Sequence, residues 1–232
     1  METEMVKFLF CWVLLWTAAF LAVRAVFPQR SYNLWNRIIS TLHAVVAVAL
    51  ASLSIKDWTC PFCPLASSSS PAQMKTLGVT LAYLIYDLIF TVLYKHCTLD
   101  NALHHIVSII GLGAGLAYQK CLWELVASLW ITEISSPFLH ARDILKEFGI
   151  RDTDLNLLMD VLFAVTFSVA RMVGGPYIVY VTLTADNPFL IKAMALGLQF
   201  VSVFWFYKIL KMVYYKLGRS RRRNTFTPHK TN

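Results

Sequence analysis

Charge is scarce in this chain of 232 residues: only 15% are Asp, Glu, Lys or Arg, against 57% hydrophobic, and the mean hydropathy is +0.57. So little polar surface excludes an ordinary soluble globular protein, whose composition carries far more charge. Histidine is also sparse, six in all. A membrane di-iron oxidase needs many histidines as ligands, and only His43, His104, His105 and His140 fall where they could ligate, so that chemistry is not expected. No ten-residue alternation of apolar and polar positions marks a barrel, and no connector is long enough for a separate soluble domain. The formal net charge of +8 comes without any nucleic-acid-binding motif, so no nucleic-acid partner is expected.

What the chain does hold is apolar runs long enough to cross a bilayer core of ~30 Å at ~1.5 Å per helical residue. Seven are predicted: Val6 to Val23, Ile38 to Leu53, Leu77 to Tyr94, Ala102 to Tyr118, Leu122 to Ile144, Leu155 to Leu183, and Pro188 to Tyr215. Helices satisfy every backbone group internally, so the expected fold is all-α, a polytopic helical bundle of about seven transmembrane helices. The first run is read as a helix and not a cleaved signal, because Glu2 and Glu4 precede Lys7 where a basic region belongs.

Lys and Arg concentrate in alternate connectors, with Arg24, Arg30 and Arg37 in the first, Arg142, Lys146 and Arg151 in the fifth, and the tail from Lys216 to Lys230. By the positive-inside rule the amino terminus is lumenal or outside and the carboxyl terminus cytosolic. Residues 1–35 then form a first helix and basic loop, 36–215 a six-helix domain, and 216–232 a basic tail. That tail fixes topology or attracts anionic lipid, and its arginines resemble a retention signal of early secretory membranes.

Ionisable residues interrupt the apolar runs. Counted from each segment's cytosolic end, His43 lies ~10 Å deep, Asp87 ~12 Å, His104 ~6 Å, Glu133 ~13 Å and Asp160 ~9 Å. Such groups avoid lipid, so one inward-facing polar chamber open to the cytosol is expected. Helical spacing supports inward stripes: Thr80, Tyr83, Asp87 and Thr91; His104, Ser108, Gly111 and Gly115; Glu133, Ser136 and His140. For any single residue the alternative is plain helix pairing through polar or small side chains. Pro137 frees the carbonyl of Glu133. Arg171 precedes Gly174, Gly175 and Pro176, a run expected to break or kink the sixth helix; its partner is either a lipid phosphate or carboxylate or the carbonyls of that break.

Adjacent histidines on a helix diverge by about 100°, so His104 and His105 are not expected to chelate one metal. Acid–base or nucleophilic work by one ring, with the other orienting it, is the better functional reading. Cys60 and Cys63 in Thr-Cys-Pro-Phe-Cys-Pro fall in a connector placed in the lumen, where a local disulfide is expected ahead of free thiols. The serines from Ser67 to Ser70 read as loop filler.

The ordered motifs Asn36-Arg37, Ser40-Thr41-Leu42-His43-Ala44, Tyr86-Asp87, His104-His105, Glu133-Ile134-Ser135-Ser136-Pro137-Phe138 and Arg171 resemble the TLC domain, whose superfamily includes ceramide synthases and translocon-associated chain proteins. The resemblance spans about Asn36 to Tyr215. His104 and His105 match the histidine pair of the ceramide synthase acyl-transfer site. The acidic stretch one helix later departs: Thr132 stands for its leading histidine, Glu133 for its first aspartate and Ser136 for its second. The chain is more similar to the short TLC domain-containing proteins, which are linked with membrane lipid homeostasis.

The resemblance therefore implies a multipass lipid-handling protein of the endoplasmic reticulum or another secretory membrane, with membrane lipids as partners. Its alternative is an acyl-CoA-dependent N-acyltransferase, with acyl-CoA as co-substrate and a sphingoid or other long-chain amine as acceptor; a further one is a cargo receptor or chaperone. In the enzyme reading His104 or His105 is base or nucleophile, Glu133 or Asp87 holds the imidazole, and His43, Ser136, His140 and Arg171 contact the lipid. No metal or resident cofactor is expected.

Overall fold

A computed structural model describes residues 2–225, with side chains from 3 to 214. The basic side chains from Lys216 to Lys230 lie outside the described residues. The chain forms α1 (Glu2–Val26), α2 (Tyr32–Ser54), α3 (Pro71–Leu93), α4 (Leu99–Tyr118), α5 (Leu122–Glu133), α6 (Ser136–Glu147), α7 (Asp154–Val169), α8 (Gly175–Thr184) and α9 (Phe189–Thr225), with one π-helical turn, Ala170–Gly174, joining α7 to α8. No strand forms among the described residues; a single bridge pairs Ser68 with Lys120. The protein is an all-α membrane bundle.

Five helical stretches are long and apolar enough to cross a membrane: Thr3–Val26, Tyr32–Ser54, Pro71–Leu93, Asp154–Thr184 and Phe189–Tyr214. The 20-residue α4 and the bent pair α5–α6 occupy the other two expected segments. Helix starts follow local chemistry. Ser31 caps α2 by accepting from the Leu34 amide, and Ser70 with Gln73 forms a capping box at α3, with Pro71 in its first turn.

One expectation about helix continuity is corrected, and at the sixth segment the expected irregularity takes the form of a widened turn and not a break. The fifth segment is not one helix: α5 stops at Glu133 and α6 restarts at Ser136, with Pro137 in its first turn. Pro137 cannot donate to the preceding turn, and α6 carries Arg142, Asp143, Lys146 and Glu147 in twelve residues, too polar to continue through lipid. The sixth segment, in contrast, does not break at Gly174-Gly175-Pro176. Its turn widens instead, the Gly175 amide donating to the carbonyl of Ala170. In that i→i−5 register Pro176 would have served the carbonyl of Arg171, and Gln199 Nε2 donates to it at 3.2 Å in its place. A Cβ on Gly175 would come within 2.5 Å of Gln199 Oε1, so glycine is what lets this cover approach.

The main core joins α1–α5 around Phe20, Leu77, Tyr86 and Leu122, all fully buried, with α1 laid on α3. α2 packs on α6, α3 on α4, and α4 on α9. α4 and α5 approach closely where Gly115 meets Leu125: a Cβ there would fall 2.2 Å from Leu125 Cδ1. Between these walls the bundle stays open.

Candidate functional site

A cavity of about 570 Å³ lies within the bundle, inside the range of ~300–1,000 Å³ common for ligand sites. His43, Asp87, His104, His105, Glu133, Ser136, His140 and Arg171 all line it. They come from α2 through α6 and from the π turn, so the site exists only in the folded bundle. Asp160 does not line it; its carboxylate lies 3.5 Å from Arg142, which does. Among the described residues no cluster of His, Cys, Asp and Glu suits a metal ion.

The two adjacent histidines have different surroundings. His105 is buried between α3 and α4, with Nδ1 2.8 Å from the Asn101 carbonyl and Nε2 2.8 Å from Asp87 Oδ2. A carbonyl only accepts, so Nδ1 carries a proton and donates; Nε2 is left to bond the carboxylate. Both nitrogens are engaged, and the carboxylate that holds an imidazole is Asp87, on His105. His104 turns the other way, tilted against Trp205 at 5.0 Å between centroids, and its buried Nδ1 has no partner among the described residues.

Opposite His104 stands Arg171, 4% exposed. Its Nη2 donates to the Thr132 carbonyl at the end of α5, not to carbonyls of its own helix, and the guanidinium sits 5.1 Å from the Phe167 ring and 5.5 Å from Trp205. Nε and Nη1 are buried without partners among the described residues. Glu133 is within electrostatic reach of Arg171, Ser136 and His105.

On the α2–α3 wall, His43 stacks on Tyr83 at 3.7 Å with Trp16 of α1 edge-on to both. Tyr83 donates to Ser40, and Ser40 to the Asn36 carbonyl. His43 Nε2, Asn36 Oδ1 and Asp87 Oδ1 remain open. At the mouth, Arg37 donates to His140 Nδ1 and pairs with Asp143, which Arg142 and Lys146 also bind. Across the mouth, Asp100 of α4 accepts from Trp205 at 2.7 Å and Lys208 at 2.9 Å, both of α9. Burial alone would raise the Asp100 pKa; these hydrogen bonds override it and bring it down to about 2.

A second, narrow slot adjoins the cavity and shares Leu84, His104, Glu133 and Arg171 with it. It runs between α3, α4, α5, α8 and α9 past Leu112, Leu129, Ile178 and Met194 to Glu124, and its lining is mostly apolar. Sequence reasoning singled out neither Glu124 nor Asn36, Tyr32, Trp205 and Lys208 as site residues. For Glu124 the signal was present: a carboxylate one turn inside an apolar run.

The sequence profile of the TLC domain matches residues 27–211, and the chain belongs to this family of membrane proteins linked to lipid metabolism. It is also similar to a TLC domain-containing protein of Acanthamoeba polyphaga mimivirus, 23% identical over 165 residues that cover 67% of this chain and 82% of the viral one. α1 precedes the matched region.

Proposed function

We propose that this protein handles membrane lipids, admitting a lipid into the polar cavity through its basic, cytosolic mouth and so affecting the lipid composition of a secretory-pathway membrane. The observation that carries this reading is that five residues bearing unsatisfied buried polar atoms line one cavity: His43 (Nε2), Asn36 (Oδ1), Asp87 (Oδ1), His104 (Nδ1) and Arg171 (Nε and Nη1). Buried polar atoms without partners are costly, and a head group bearing donors and acceptors relieves that cost. Lipidomics of a loss-of-function line, with and without re-expression, tests it: a lipid profile that neither shifts on loss nor returns on rescue refutes it.

A second reading, acyl-CoA-dependent N-acyl transfer, is favoured by the division of labour between the histidines. His105 is tied at both nitrogens, whereas His104 has Nδ1 open at the junction of polar cavity and apolar slot. That ring either accepts the amine's proton as the thioester C–S bond gives way to a C–N bond, or carries the acyl group between thiol and amine. Purified protein given labelled acyl-CoA and a panel of long-chain amines should form an amide that His104→Ala abolishes. The absence of product from the unmodified protein refutes the enzyme.

A further inference from the structure

The cavity and the slot share Leu84, His104, Glu133 and Arg171, so together they run from the mouth beside Arg142 and Lys208 to the opposite end of the bundle. There the connector between α2 and α3 is pinned across them, Cys121 N donating to Ser67 O and Ser69 N to Gln119 O. Glu124 is the group of the slot that touches this connector. It is 2% exposed; Oε1 accepts from the Ala66 amide at 2.8 Å and from Asn187 Nδ2 at 3.2 Å, while Oε2 has no partner among the described residues. On α3, Thr80 is 3% exposed and its Oγ1 is likewise unpartnered, as are His104 Nδ1 and two nitrogens of Arg171 at the cavity end. All four residues line the slot.

Unpartnered buried polar atoms are costly, and buried water is what usually relieves them. The slot measures about 90 Å³, room for about three waters at ~30 Å³ each. Its spacing suits a file. Glu124, Ser128 and Thr132 recur along α5 and all line the slot, each step from one to the next being ~6 Å of helix rise. One water between successive groups, with O···O distances of ~2.8 Å on either side, spans about 5.6 Å. We propose that the slot holds a file of water that passes protons between the cavity and Glu124, and that Glu124 is the gate at the connector end. Thr132 Oγ1 donates to the Ser128 carbonyl, so towards the file it accepts. Glu133 beside it, with Arg171 and His105 in electrostatic reach, is where the file meets the cavity.

Each hop forms one O–H bond and breaks one, so a proton moves with nothing oxidised or reduced, driven by the potential or the pH difference across the membrane. A proton that reaches Glu124 neutralises the carboxylate and weakens its charge-assisted bonds to the Ala66 amide and Asn187. The connector then loosens from the bundle end, and the proton leaves to the water beyond it. Ionisable groups around this exit are Lys120, Cys121 and Asp186.

The test is proton flux into liposomes that carry the purified full chain and a trapped pH-sensitive dye, with a potassium gradient and valinomycin supplying the potential. The flux should exceed that of protein-free liposomes. Glu124→Gln keeps an acceptor for the Ala66 amide but takes up no proton, and Ser128→Leu fills the slot between its ends. Both should return the flux to the protein-free level while the melting temperature is kept. Thr80→Val removes an unpartnered hydroxyl at nearly constant shape, so a purely structural role predicts no change, whereas the file predicts slower flux. Flux absent from the unmodified protein, or unchanged by any one of the three substitutions, overturns the proposal. Lipidomics reads lipid handling separately, so that reading stands or falls on its own.

Discussion

Removing the carboxylate of Asp87 should loosen the bundle far more than neutralising it. Asp87 and His105 are 5% and 4% exposed and meet at 2.8 Å across the α3–α4 contact. At that distance an ion pair is worth ~6 kcal/mol of gross Coulomb attraction for an effective dielectric of ~20, most of it offset by desolvation. Deleting one member leaves the other buried alone, which costs about 3–5 kcal/mol, and this is the expected loss for Asp87→Ala. Asp87→Asn should cost only ~1–2 kcal/mol, within the range of interhelical hydrogen bonds in membranes. The Asn101 carbonyl fixes the His105 proton on Nδ1, so Nε2 is free to accept from the new amide. Unfolding of the purified variants in mixed detergent micelles measures both, and a double-mutant cycle with His105→Ala isolates the coupling. If Asp87→Ala and Asp87→Asn cost the same within ~0.5 kcal/mol, the assignment of His105 as the tied ring is wrong.

The latch between α4 and α9 should be weak and pH-dependent. Asp100 has its pKa lowered to about 2, so its contribution is present above the ordinary carboxylate pKa and is lost as pH falls through 2. Asp100→Asn should cost less than ~1 kcal/mol near neutrality, the surface-pair range, and should equal the unmodified protein at the acid end; a gap that widens on acidification refutes it. Cys60 and Cys63 are joined by a disulfide, so in membrane preparations neither should react with a membrane-permeant alkylating reagent until a reductant is added. Labelling without reductant contradicts the disulfide.

The fold class was legible because lipid imposes one rule, internal satisfaction of the backbone, and long apolar runs state it without ambiguity. Where helices bend was harder. Pro137 and Pro176 carry the same local signal, yet one ends a helix and the other sits at the start of α8 without interrupting it. The difference lies in what satisfies the carbonyl each proline abandons. Gln199, from α9, serves Arg171 O beside Pro176, whereas beyond Pro137 the charged α6 packs on α2 and α7 as a separate helix. Neither the partner nor the packing is visible within the segment that contains the proline.

The same limit applies to the site. That His43, Asp87, Glu133 and the histidine pair are expensive in an apolar run follows from each segment alone, but which of them are spent on one another depends on helix register. His105 Nε2 closes on Asp87 Oδ2, as Arg37 does on His140 and Arg142 on Asp143 and Asp160. His104 Nδ1 and two nitrogens of Arg171 do not. The closed pairs hold helices at a fixed separation, and that separation leaves a cavity lined by the residues that carry the open groups. Had the stripes served helix pairing alone, each polar atom would have found its partner on the neighbouring helix, as Ser54 does with Thr76 at 2.8 Å. Of the residues that did not, Asn36, His43, Asp87, His104 and Arg171 all line the one polar cavity.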